Sequence, residues 1–89
     1  MLTPKSLKKL KNLKANKVYK MVTPESLMDK PWASNWHGVI LKVTGIGNNK
    51  VYVDITIKPN IEAIHLSSSV GKHIKFVELS EDEYPEYYI

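Results

Sequence analysis

Cysteine is absent from this chain, and so is arginine: all thirteen of its basic residues are lysine. Without thiols there is no disulfide framework and no thiolate metal site. Without the planar guanidinium fork, the two-pronged contacts by which arginine reads guanine are missing, so sequence-specific reading of the major groove is disfavoured. No apolar run approaches the roughly twenty residues that a membrane span needs, and the basic start MLTPKSLKKL leads into no apolar stretch of the secretory-signal kind. Low-complexity tracts are lacking too. The 89 residues, 43% of them hydrophobic, are therefore expected to fold as one domain, 1-89, around a single modest core. The expected setting is cytoplasmic, as a soluble intracellular protein.

What is present is unevenly distributed. Residues 1 to 20 hold seven lysines and no acid, and residues 78 to 89 hold five acids and no base. Between them six lysines face four acids, so the three segments carry +7, −5 and +2 of the net +4. Charge segregated in this way marks the two ends as interaction segments.

Along the chain, Thr3 and Pro4 form a helix start, a hydroxyl to cap free amides followed by a proline at the first helical position. Leu7, Leu10 and Leu13 follow at intervals of three with lysines on the other faces, which predicts a basic amphipathic helix over 3-16. TPESL at 23–27 repeats TPKSL at 3–7 and predicts the same capping chemistry a second time. KVYKMV, residues 17 to 22, reads as a first strand.

The clearest signal lies between Trp36 and Lys58. In KVYVDITIK, Val51, Val53, Ile55 and Ile57 share one face while Tyr52, Asp54 and Thr56 share the other, the period-two pattern of a half-buried strand. In WHGVILKVT, His37, Val39, Leu41 and Val43 share a face, and the connection GIGNN suits an antiparallel hairpin. IEAIHL (61 to 66) and HIKFVEL (73 to 79) read as two further strands, separated at SSSVG by a turn or one short helical turn.

Five short strands in this order predict a mainly β (α+β) fold, a small five-stranded antiparallel barrel over 17-79 with one N-terminal amphipathic helix. The arrangement is similar to that of an SH3-like barrel, with an OB-like barrel as the nearest competitor. It is a likeness of architecture without a shared motif, and it implies no function.

Catalytic and metal signatures are missing. His37, His65 and His73 have no HExxH-type spacing. Ser67, Ser68 and Ser69 lie in no GxSxG elbow, Gly45 and Gly47 are hairpin residues rather than a phosphate cradle, and the carboxylates at 81, 82, 83 and 86 lack calcium-loop spacing. A non-enzymatic binding module without cofactor or metal is expected.

Two kinds of partner fit the charge pattern. The first is nucleic acid, single-stranded or duplex, bound non-specifically, with Lys5, Lys8, Lys9, Lys11 and Lys14 on phosphates and Trp32, Trp36 or Tyr52 as stacking faces. Tryptophans 32 and 36 flank the 29–35 loop, where closing the core is their alternative role. Five neutralised phosphates would give a salt slope of about −3.5 on single strands. The tail 80-89, whose acidic and aromatic layout resembles the tails of single-strand-binding proteins, would compete for the basic surface. The second partner is a larger protein complex, such as a polymerase, on which an adaptor or inhibitor of viral or mobile-element type would dock through Tyr84, Tyr87, Tyr88 and Ile89.

Overall fold

In a computed structural model that describes residues 7 to 88, the chain is built on five antiparallel strands. They are β1 (Val18–Val22), β2 (Ile40–Ile46), β3 (Lys50–Asp54), β4 (Ala63–His65) and β5 (Lys75–Leu79), hydrogen-bonded in the order β4-β3-β2-β1-β5. Two short helices, α1 (Pro31–Ser34) and α2 (Ser69–His73), interrupt the strand series. The α+β class and the five antiparallel strands agree with the sequence. Closure into a barrel is not seen, because β4 and β5 end the sheet without pairing with each other.

Alternation decides which residues go inside. In β3, Val51 and Val53 are buried while Tyr52 and Asp54 face out, and Ile55 continues the buried row. Tyr19 and Met21 from β1, Leu41 and Val43 from β2, Ile64 from β4 and Phe76 from β5 complete one core. A fully buried residue such as Phe76 contributes roughly 1.5–3 kcal/mol through the apolar surface it removes from water. β2 bends between two neighbours, pairing with β1 through Ile40, Leu41 and Lys42 and with β3 from Lys42 onward.

The β2–β3 connection is tighter than the five residues expected. β2 runs on to Ile46, and the register slips between Val43 and Gly45, leaving Thr44 as the extra residue of a bulge. The slip brings Gly45 opposite Tyr52, and a β-carbon at Gly45 or Gly47 would lie 3.6 and 3.4 Å from the Tyr52 ring. The ring thus lies in van der Waals reach of both glycines. His37 does not extend β2. It sits in the turn after α1, where its Nδ1 accepts the Thr23 amide at 3.1 Å.

The N-terminal helix expected over 3-16 is not what residues 7 to 16 form; residues 3 to 6, including the Thr3–Pro4 start, lie outside the described residues. Lys8 is extended and bridges Phe76, with Lys8 N–H donating to the Phe76 carbonyl at 2.8 Å and Phe76 N–H to the Lys8 carbonyl at 2.9 Å. One 3-10 turn follows at Leu10–Asn12, and Asn16, in the left-handed region at φ 67°, turns the chain into β1. Three-residue spacing of leucines fits a 3-10 turn as well as an α-helix. The turn buries Leu10 and Leu13 but leaves Leu7 53% exposed. Lysines three and four apart would repel one another on a helix, whereas the edge of β5 supplies hydrogen-bond partners to an extended arm.

Thr23 is likewise not a helix cap. It is buried, and its hydroxyl donates to the Ala33 carbonyl at 2.7 Å, tying the start of the β1–β2 loop to α1.

Candidate functional site

The basic residues that converge come from two separated segments. α2 is held by Ser68, whose Oγ accepts the Gly71 amide at 3.0 Å and donates to the His65 carbonyl at 2.6 Å. Gly71 is the point of close approach: a β-carbon there would run into the His65 carbonyl oxygen and lie 2.9 Å from that of Leu66. Only glycine lets α2 sit down on the end of β4. Its last turn presents Lys72 and His73.

Opposite α2 runs the N-terminal arm, fixed by the Lys8–Phe76 bridge and by buried Leu10 and Leu13. Lys9 and Lys11 from the arm and Lys72 from α2 line one groove of about 230 Å³, with Leu66 and Gly71 as its floor. All three lysines are exposed, no carboxylate lines the groove, and none of the three is in an ion pair among the described residues. Lys8 differs: its Nζ is 3.9 Å from the Glu78 carboxylate, a partly exposed pair worth at most about 1 kcal/mol. Lys14 is exposed, and its backbone amide donates to the Tyr19 hydroxyl at 3.0 Å. Burial pushes the Tyr19 phenol above the usual tyrosine range. The Lys14 hydrogen bond pulls it down, and the nearby Glu78 and Tyr88 push it further up. Lys5 lies outside the described residues.

The aromatic candidates separate. Trp32 is 37% exposed, and its ring centroid lies 6.2 Å from that of His73 at an interplanar angle of 59°. Trp36 is half-buried against the core, with the Lys58 ammonium 5.2 Å from its ring, so it takes the core-closing role. Tyr52 rests on the glycines of its own hairpin, with Lys50 Nζ 5.1 Å from its ring.

In the tail, Ser80 Oγ accepts the Glu83 amide at 3.3 Å and starts a turn that leads into a 3-10 turn at Pro85–Tyr87. Tyr88 is anchored within the chain, its hydroxyl bonded to Leu79 and Val18. Tyr84 and Tyr87 have ring centroids 6.2 Å apart, and exposed Tyr87 lines a cleft of about 350 Å³ with Ile40, Thr56 and Ile57. Among the described residues, no tail residue lines the lysine groove. Ile89 lies outside the described residues.

Lys72 and His73 escape sequence reasoning because His73 reads as the start of a strand and Lys72 falls between that strand and the SSSVG turn. The available signal was Ser68 followed by a short helical turn ending in Lys72 and His73, a cap with basic residues in the last turn. No protein-family model matches the chain, no curated protein matches its sequence, and no solved structure matches its fold.

Proposed function

We propose that this protein is a non-enzymatic module that associates with the phosphate backbone of nucleic acid, without sequence specificity, at the groove of Lys9, Lys11 and Lys72. The observation that carries this reading is the convergence of three exposed lysines from two distant segments on one groove that no carboxylate lines. With nine acids to thirteen lysines in the chain, even mixing would set a carboxylate among most groups of three lysines. Like charges held together raise the local potential and attract polyanions. Lysine alone, as a mobile point charge, suits backbone contact rather than base reading.

An SH3-like arrangement is the finer fold reading. Strands β1 to β4 pair in sequence and β5 returns beside β1, a meander that supports it over the Greek-key connections of an OB-like barrel. A nucleic-acid partner suits a cytoplasmic setting.

Fluorescence anisotropy of labelled oligonucleotides, titrated at several salt concentrations, tests the reading. Three phosphate contacts would give a slope of log affinity on log salt of about −2 for single strands and about −2.7 for duplex, rather than the −3.5 of five. Charge reversal at Lys72 would reduce both affinity and slope. Absence of binding at low salt would rule the reading out.

A protein partner is the second reading, and it rests on a different place. Ile57, 70% exposed, and Tyr87 present apolar surface beside one cleft. An adaptor or inhibitor docking there on a larger complex would lose affinity in Tyr87→Ala and be little affected by salt.

A further inference from the structure

Trp32 is covered over most of its surface and open over the rest. α1 is seated by Ala33, which is fully buried and whose carbonyl accepts the Thr23 hydroxyl, so the helix keeps its place without help from the neighbouring indole. At 37% exposed, Trp32 leaves part of a large aromatic ring system open to a ligand. Its ring partner is His73, itself exposed, and the 59° tilt between the rings means that they do not cover each other as a parallel stack would.

Position gives the pair its meaning. His73 follows Lys72 on α2, and Lys72 lines the groove with Lys9 and Lys11. The aromatic pair and the phosphate-attracting groove thus share one five-residue helix through consecutive residues, on faces about 100° apart, and a strand crossing that helix can reach both. Stacking on aromatic rings beside a positively charged track is how proteins hold nucleic-acid strands whose bases are free. In a duplex the bases are stacked on each other inside the helix and have no face to offer, so duplex would gain from the lysines alone.

We infer that the ligand of this surface is single-stranded nucleic acid, with a base stacked on Trp32 beside His73 and neighbouring phosphates held at Lys72, Lys9 and Lys11. The inference rests on the proposed phosphate-binding function and narrows it to unpaired strands. Stacking is tolerant of base identity, since every base has a ring face, which agrees with the lack of arginine for base reading.

The test uses the full chain with a labelled oligodeoxythymidylate and a duplex of equal length, at low salt. Single strand is expected to bind roughly tenfold more tightly than duplex, and Trp32→Ala to remove that difference by weakening single-strand binding alone. Trp32→Phe, which keeps a ring, should retain most of the preference, and Trp36→Phe all of it. Intrinsic tryptophan fluorescence should be quenched by the single strand, and much less so in Trp32→Phe, where only Trp36 reports. Trp32→Ala also removes packed surface, so affinities are compared at a temperature where circular dichroism shows it folded, and Trp32→Phe, expected to melt near the parent, separates a binding change from a folding change. Equal binding of both oligonucleotides, unchanged in Trp32→Ala, overturns this inference and leaves the phosphate-binding function standing. No binding of either overturns both.

Discussion

The hydroxyl of Tyr88 stands between the Leu79 carbonyl oxygen and the Val18 amide, donating to the first at 2.6 Å and accepting from the second at 3.1 Å. Val18 and Leu79 are opposed residues of β1 and β5, so one side-chain oxygen bridges the end of that ladder. Tyr88→Phe keeps the ring and removes both bonds, leaving a partly buried donor and acceptor unpaired. The expected loss is about 2 kcal/mol, or roughly 8–16 °C in melting temperature for a chain this size. Thermal unfolding by circular dichroism measures it; an unchanged melting temperature would show that the tail is held by other contacts. The same anchor means that deleting residues 80–89 removes structural support along with acidic charge, so neutralising Glu81 and Asp82 is the cleaner probe of any competition between tail and nucleic acid.

Gly71→Ala sets a methyl group against the backbone oxygens of His65 and Leu66, which cannot swing aside as side chains do. A cost of about 1–3 kcal/mol is expected, read from urea unfolding. Because the strain falls on the helix that carries Lys72 and His73, oligonucleotide affinity should drop with it, at salt and temperature where the variant is still folded.

Thr23→Val replaces the buried hydroxyl with a methyl of similar shape and leaves the Ala33 carbonyl without its 2.7 Å donor. Because the Trp36 amide still donates to that carbonyl at 3.1 Å, stability should fall by about 0.5–1.5 kcal/mol, while Thr23→Ser retains most of it. Chemical denaturation of the two variants side by side distinguishes the lost hydrogen bond from the altered shape.

Tyr19 predicts a response to alkali. Its folded-state pKa is raised, chiefly by burial, above the value of about 10 that it has in an unfolded chain. Below about pH 10 both states keep the proton and the contribution is fully present. As the pH rises further the unfolded chain ionises first, so stability is lost until the folded phenol also ionises. Tyr19→Phe should lack this component, at the expense of about 1 kcal/mol at neutral pH from the stranded Lys14 amide. Urea midpoints of both proteins across the range from about pH 8 to 11 isolate the tyrosine from the lysines that titrate alongside it; parallel curves would contradict the assignment.

How far the fold could be read depended on whether the information was local. β3 was legible because Val51, Val53 and Ile55 alternate with polar residues, although the same pattern runs on to Ile57, which lies past the strand and is 70% exposed, and the pairing of β2 with β3 follows from their short connection. The arm was not, because leucines at 7, 10 and 13 fit two helical periods, and the choice was made by Phe76, far along the chain, offering Lys8 an edge. α1 left a readable trace in Pro31 at its first position, inside what looked like a plain loop. Half of the candidate groove was visible as the lysine run at 9 and 11; its other half, Lys72, depends on Gly71 letting α2 fold back onto β4, which no spacing rule in the arm reveals.

The Lys8–Phe76 bridge also bears on solubility. A sheet that does not close has two edges, and each is a template on which another copy can add a strand. Here β4 is only three residues long, and at Phe76 the outer edge of β5 is already occupied by the chain's own backbone, with a lysine at the junction and further lysines on either side. Two copies approaching along that edge would meet a taken hydrogen-bonding position and a repulsive field. The segment that gathers the positive charge thus also guards the sheet against aggregation.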